Sequence, residues 1–397
     1  MASWPLRKGN LKLSYRARFC DLVYKNNLKD ATLKDTIMIK NIFISTSVSR
    51  EKNMIISAVK RARGMLVMAL CAFVIVSCSR SDEAAQAAIE LDIQAIESAL
   101  AALEDNDEGY EYSVWLGGSD NQAWYSHNAK AIMPAASAIK TAILIEFFSD
   151  KIETLDVPFA ELAAILDNPD SQAIAHFTPE KQEAARAELK GLTARQLAEA
   201  MIHKQHVQSN AAYNAAANVI MEYFGGPQAL TERIHRRYPQ AQELTLARYM
   251  LADRQKNDDN LLNAFSLAMV LGELANTTQP DMLRSEIRTV LWLEKDDIRG
   301  DHYYKGGSLS SMPQVRIEAG WWEKNCRASV YVVIAHNPIT ASSKPDYDEV
   351  RTNLKHLSDI VQNSGIHMRD TLHARHSATH SSPHSATYCG IDKNVNK

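Results

Sequence analysis

Residues 133–148 read MPAASAIKTAILIEFF. Ser137 and Lys140 stand three apart, and on a helix that spacing puts both side chains on one face within reach of each other. Ile139, Ala142, Ile143, Leu144, Ile145, Phe147 and Phe148 make the segment apolar nearly all round, which predicts a helix buried in a core. A serine hydroxyl is a poor nucleophile until a base takes its proton. A lysine serves as that base when burial and neighbouring charge lower its pKa. At the first turn of a buried helix the pair would lie on the floor of a cleft, where the helix N-terminus favours a developing oxyanion. The spacing alone is not selective. Ser49–Lys52 and Ser57–Lys60 repeat it, and a solvated helix face carries it as readily. Ser137 is set apart by its buried surroundings and by two motifs downstream.

Working outward, residues 112–116 (YSVWL) predict a strand, 117–121 a turn and 122–126 a second strand. A hairpin therefore feeds the buried helix. Before it, Ile89, Ile93, Ile96, Leu100 and Leu103 recur at helical spacing over 83–104. Residues 158–224 read as helical. Thr178-Pro179-Glu180 is a helix start with proline at the first position. Thr193 and Gln196 form a capping box, and the helix they open is expected to run on through 205–214. Gly225-Gly226-Pro227 closes the helical stretch, and further helices are expected at 228–238, 261–275 and 282–293. After Gly300 come three expected strands, 303–308, 314–322 and 329–336, and a last helix over 347–363. From residue 365 on, His367, His373, His376, His380 and His384 stand irregularly in Ser/Thr-rich sequence, which reads as a disordered tail rather than a metal site. The expected fold class is α/β (α+β). An antiparallel sheet from the first and last thirds is flanked by helices, and the middle forms an all-α lobe.

A net charge of −3 with 23% charged residues offers no basic face to nucleic acid. Hydrophobic content of 46% describes an ordinary folded chain. Near the N-terminus, Lys60, Arg61 and Arg63 precede an apolar run over 65–76, and Ile75-Val76-Ser77-Cys78 follows it. A basic stretch, a short apolar run and small residues before a cleavage point describe a secretory signal. The run falls short of the ~20 residues a spanning helix needs, which argues against a membrane anchor of that kind. Its ending resembles a bacterial lipoprotein signal, which implies lipidation of Cys78 as the mature N-terminus. Residues 1–53 read as an upstream extension without a folded role, with Met54 a sensible start, so 1–78 separates from an expected domain over 79–364 and a tail over 365–397. Cys20 and Cys71 precede the cleavage point, and Cys326 and Cys389 remain as the pair available for a disulfide.

The second motif is polar: Ser209, Asn210, Tyr213 and Asn214 on the middle helix. The third is Lys305-Gly306-Gly307-Ser308, at the start of the first late strand. Its lysine can hold a substrate carboxylate, its glycines let a ligand approach the backbone, and the Ser308 N–H can join that of Ser137 as an oxyanion hole. The same four residues also suit a plain edge strand with a solvated lysine. In order and in element type over 83–363, the three motifs resemble the signature elements of the class A β-lactamase and penicillin-binding-protein group of serine hydrolases. The resemblance implies an α/β sandwich beside an all-α lobe with the site in the cleft. It implies Ser137 as the acylated nucleophile, Lys140 as its base and Lys305 as partner of a carboxylate and of the proton network.

Two departures stand out. The family's Ser-Asp-Asn motif, counted back from Gly225-Gly226, falls on Ala212-Tyr213-Asn214 and keeps only the asparagine, which suits a substrate amide. The hydroxyl that relays a proton to the leaving nitrogen is then Ser209 or Tyr213. The family's loop glutamate, which activates the deacylating water, falls on Met250 in Leu246–Asp253, and Asp253 either reaches the site or faces solvent. The expected function is an exported, lipid-anchored, periplasmic serine hydrolase, monomeric and without cofactor or metal, acting on a β-lactam or related acyl substrate. The alternatives are a non-catalytic binding protein of the same fold and a peptidoglycan carboxypeptidase.

Overall fold

Residues 327–337, RASVYVVIAHN, are apolar on both sides of the pleat, which only a strand covered on both faces tolerates. The structure is a computed structural model that describes residues 83–105, 109–277, 281–311, 313–338 and 347–379, all within the unit Cys78–Lys397. In it this segment is an inner strand. In chain order the strands are β1 (Glu111–Gly118), β2 (Ala123–His127), β3 (Met133–Pro134), β4 (Leu261–Leu262), β5 (Trp292–Asp296), β6 (Gly300–Tyr304), β7 (Gly307–Leu309), β8 (Gln314–Lys324) and β9 (Arg327–Asn337). The main sheet runs β2-β1-β9-β8-β6-β5, with β7 paired to β8 beside β6. Its paired strands are antiparallel.

Side chains alternate across the sheet. Tyr112, Val114 and Leu116 of β1 and Tyr331 and Val333 of β9 meet Ile96 and Leu100 of the helix over 83–105, and Val350, Leu354 and Val361 of the last helix, Tyr347–Thr379. Trp115, Val330, Val332 and Ile334 point the other way, into the core shared with the Ser137 segment and the middle helices. Each fully buried aliphatic side chain contributes roughly 1.5–3 kcal/mol. The sheet is thus clamped between an outer helix pair and the helical lobe. This is the antiparallel sheet plus all-α lobe expected from the sequence.

Several elements differ in extent. The last helix does not stop at Asn363, and the expected tail is helical as far as Thr379. Its apolar face continues through Ile366 and Met368, both buried, and Arg369 donates to the Arg299 carbonyl at 3.1 Å. The rest of the tail, the signal segment and Cys78 lie outside the described residues. Cys326 is disulfide-bonded, and Cys389 also lies outside them. The helix expected over 282–293 ends at Leu291, where Trp292 and Leu293 pass into edge strand β5. Among the described residues no helix is long and apolar enough to cross a membrane.

Three breaks build the site. Residues 133–148 are not one helix: β3 pairs with β4, a 3₁₀ turn follows over Ala136–Ile139, and the α-helix Lys140–Lys151 begins at the lysine. The middle helix splits into Ala194–His203 and Asn210–Tyr223. Lys204 and His206 take left-handed φ values of 62° and 64° between the two. The expected strand over 303–308 breaks at Lys305-Gly306 into β6 and β7.

Candidate active site

Ser137 sits in the 3₁₀ turn directly before the buried helix. In a 3₁₀ turn residues i and i+3 eclipse, so its spacing to Lys140 still puts both on one side. Ala136, just before the serine, has φ 44°. A left-handed alanine is strained, and such strain persists only where the surroundings hold it. Asn260 accepts the Ala135 N–H at 2.7 Å through its backbone carbonyl, and its side chain accepts Ala247 N–H and Arg248 N–H at 2.9 and 3.0 Å. On the opposite side β7 closes in. A Cβ on Gly307 would stand 2.8 Å from the backbone nitrogens of both Ser137 and Ala138. Only glycine permits that approach, and it brings Ser308 alongside the serine.

Lys140 is fully buried. Its Nζ donates to Asn214 Oδ1 at 3.2 Å and to the Tyr213 carbonyl at 3.4 Å, and lies 3.3 Å from the centre of the Tyr213 ring. Lys305 reaches in from the sheet and donates to the Ile202 carbonyl at 2.7 Å and to the Tyr213 hydroxyl at 2.9 Å. Ser137 stands beside the Tyr213 oxygen and helps to hold the phenol's pKa down. Tyr213 is therefore the meeting point of Ser137, Lys140 and Lys305. Burial pushes the Lys140 ammonium down, Tyr213 pulls it up and Lys305 pushes it down again, leaving it at about 7. Burial alone would raise the Tyr213 phenol. The charges of Lys140 and Lys305, the bond from Lys305 and the neighbouring Ser137 outweigh burial and bring it down to about 7.

A cavity of about 340 Å³ opens above these groups, the size of a small-ligand site. Ser137, Tyr213, Asn214, Lys305, Gly306, Gly307 and Ser308 all line it. Ser209 does not. It caps the helix Asn210–Tyr223, its Oγ accepting the Ala212 N–H at 3.0 Å while its own N–H goes to Glu188. Of the two hydroxyls the sequence left open, the fold brings only Tyr213 to Ser137. Met250 lines the cavity, and its backbone is pinned there. Its N–H donates to Asn218 Oδ1 at 2.6 Å, and its carbonyl bonds Asn218 Nδ2 at 3.1 Å and His176 at 2.9 Å. Asp253 turns away, accepting the Gln255 N–H at 2.9 Å and pairing with Lys256 at 3.7 Å. Among the described residues, no aspartate or glutamate lines the cavity.

Other groups of the site were not singled out in the sequence. Arg248 pairs with Asp259 at 2.8 Å and also donates to the Ala252 carbonyl, which folds the loop under the cavity. Arg316 lies opposite Ser308 in the β7–β8 register and reaches Glu318 at 2.7 Å, and Glu318 accepts the Tyr304 hydroxyl at 2.6 Å. Asp259 also pairs with Arg254 at 2.5 Å, so this arginine pair and Lys305 leave the cavity with unmatched positive charge. Only the strand spacing of Arg316 to Glu318 could have hinted at that pair from sequence. Among the described residues no cluster of His, Cys, Asp or Glu can hold a metal ion.

Comparisons with known proteins agree with this fold. Solved structures similar in fold include a beta-lactamase from Sphaerobacter thermophilus, 17% identical with a TM-score of 0.50, covering 69% of this chain and 97% of that one. A class A beta-lactamase from Bacteroides cellulosilyticus is 15% identical with a TM-score of 0.50, covering 71% and 98%. At such identities the likeness speaks for the fold alone. No curated protein sequence matches the chain. The profile of the beta-lactamase enzyme family matches residues 95–363, which span the sheet, the helical lobe and all three motifs. The chain belongs to the beta-lactamase enzyme family.

Proposed function

We propose that this protein is an exported serine hydrolase that opens a β-lactam or related acyl amide through an ester on Ser137. The observation that carries this reading is the convergence of Ser137, buried Lys140 and Lys305 on Tyr213: Lys305 donates to its hydroxyl at 2.9 Å, Lys140 lies 3.3 Å from its ring centre, and Ser137 stands beside its oxygen. Burial brings Lys140 down to about 7, and the charges of Lys140 and Lys305 bring Tyr213 down to about 7, so both groups beside the nucleophile can take up a proton near neutral pH. Taking the Ser137 proton into that pair makes the oxygen nucleophilic. Tyr213 faces the cavity and Lys140 does not, so Tyr213 is the group that passes the proton on to the leaving nitrogen. The N–H groups of Ser137 and Ser308 suit the oxyanion. Lys305 and Asn214 suit the carboxylate and amide of a substrate. The first reading predicts that purified protein hydrolyses a chromogenic β-lactam and that Ser137→Ala lowers the rate at least a thousandfold. Equal rates in the two proteins would remove it.

One observation favours a second reading. With Met250 in the cavity wall and, among the described residues, no carboxylate in that wall, the protein would acylate and then hold its ligand, acting as an acyl-binding protein. Adduct formation without multiple turnover separates this from the first reading, and turnover of cell-wall peptides alone would mark a carboxypeptidase. Export rests on the signal-like segment ending at Cys78, outside the described residues. Cys78→Ser is expected to move the protein from the membrane fraction to the soluble periplasmic fraction. Unchanged membrane recovery would count against a lipid anchor.

A further inference from the structure

We infer that Tyr213 is also the base of the second half-reaction, drawing the proton from the water that cleaves the Ser137 ester in place of a loop carboxylate. This rests on the acyl-enzyme reading above and deepens it. An ester on Ser137 is stable until a water is activated beside it. The cavity wall offers few groups able to do so. Asn210, Asn214 and Asn260 have no basic site near neutral pH, and the Met250 thioether is no base. Arg248 and Arg316 are hydrogen-bond donors without an acceptor site and are held by Asp259 and Glu318. The Tyr304 hydroxyl is committed to Glu318, and its phenol is raised, chiefly by burial. Lys140 titrates in the right range but is sealed off. It is fully buried, absent from the cavity lining, and covered by Asn214 and the ring of Tyr213. Tyr213 lines the cavity together with Ser137 and stands beside it. Lys305 holds its oxygen at 2.9 Å from the other side, with half-buried His203 behind that lysine.

The step closes in atoms and charge. The Tyr213 phenolate takes one proton from water while the water oxygen bonds to the acyl carbon. The tetrahedral centre then collapses, the bond from that carbon to Ser137 Oγ breaks, and Tyr213 returns its proton to Oγ. The product leaves as the free acid. Because Ser137 and Tyr213 stand side by side in the cavity wall, the proton has a short path back to Oγ.

The test uses an aryl ester as acyl donor, because an aryloxide leaves without needing a proton and so acylates even where the relay is lost. Acyl adduct on the full-length protein is followed by intact mass after excess ester is removed, for wild type and Tyr213→Phe, between pH 5 and 9. Wild type is expected to shed its acyl group at a rate that rises through about pH 7. Tyr213→Phe, which lacks the acceptor for the Ser137 proton and is therefore loaded by long exposure to excess ester, is expected to carry the same adduct once loaded and to lose it about 10²-fold or more slowly, without that inflection. An adduct on Tyr213→Phe that decays at the wild-type rate, or keeps the inflection, would overturn the inference and give the role to Lys140. Failure of the wild type to form any adduct would overturn the acyl-enzyme reading itself. An equal thermal melting temperature for the two proteins excludes misfolding as the cause of a slow step.

Discussion

Lys140→Met is expected to cost about a thousandfold in the acylation rate while making the protein more stable. The loss follows from the ring contact at 3.3 Å, which sets the ammonium charge against the phenol. Without the ammonium, Tyr213 loses one of the two cations that hold its phenol down, rises back toward its ordinary value, and no longer accepts the Ser137 proton at neutral pH. General-base losses of this kind run to about 10²–10⁴-fold. The stability gain follows from burial. A fully desolvated lysine is disfavoured in its charged form, and exchanging a buried ion for an apolar side chain of similar length is often stabilising. Leaving Asn214 Oδ1 without its donor offsets part of the gain, so about 2 kcal/mol at pH 6 is expected.

The pH dependence has a definite sign. Folding lowers Lys140 from 10.5 to about 7 and Tyr213 from 10.0 to about 7. Between pH 7 and 10 the unfolded chain therefore holds more protons at these groups than the native one, and stability contributed by the pair rises with pH. The burden of lysine burial is fully present below about pH 7 and fades as pH rises toward 10.5. The benefit of an ionised Tyr213 is complete above about pH 10 and is lost as pH falls through about 7. In Lys140→Met both contributions shrink, so denaturant melts from pH 6 to 10 should show a flatter profile than wild type. A variant less stable than wild type at pH 6, or an unchanged slope, would refute this account of the pair.

Met250→Glu is expected to speed loss of the acyl group about 10²-fold. Asn218 and His176 fix the Met250 backbone at both its N–H and its carbonyl, so the substitution exchanges a thioether for a carboxylate without moving the loop. The new carboxylate faces a cavity whose unmatched charge is positive, which favours its ionised, proton-accepting form. Single-turnover decay of the Ser137 adduct, compared with wild type at pH 7, measures the effect. Equal decay rates would mean that the side chain at 250 lies outside the path of the water.

The serine, both lysines and the glycine pair were legible because local pattern decides them. An all-apolar helix must be buried, a spacing of three faces one way in either kind of helical turn, and two glycines in a strand announce close approach. Tyr213 was legible only as one of two hydroxyls. The choice between it and Ser209 depends on a break at Lys204 and His206, and Lys204 is not a type that usually marks left-handed backbone. That break turns Ser209 into a cap and sends Tyr213 inward. The Arg248–Asp259 and Tyr304–Glu318–Arg316 contacts depend on chain segments meeting in space. The run of the last helix to Thr379 was hidden by histidine-rich composition, although Ile366 and Met368 continue its apolar face.

The central claim is that Ser137 is made nucleophilic by the proton pair beside it and carries the acyl group. Intact-mass measurement after brief exposure to a β-lactam, followed by peptide mapping, tests this most directly. The account predicts a mass gain equal to one whole β-lactam, located on Ser137, present in wild type and absent in Ser137→Ala. An adduct on another residue, or one that survives in Ser137→Ala, would contradict it.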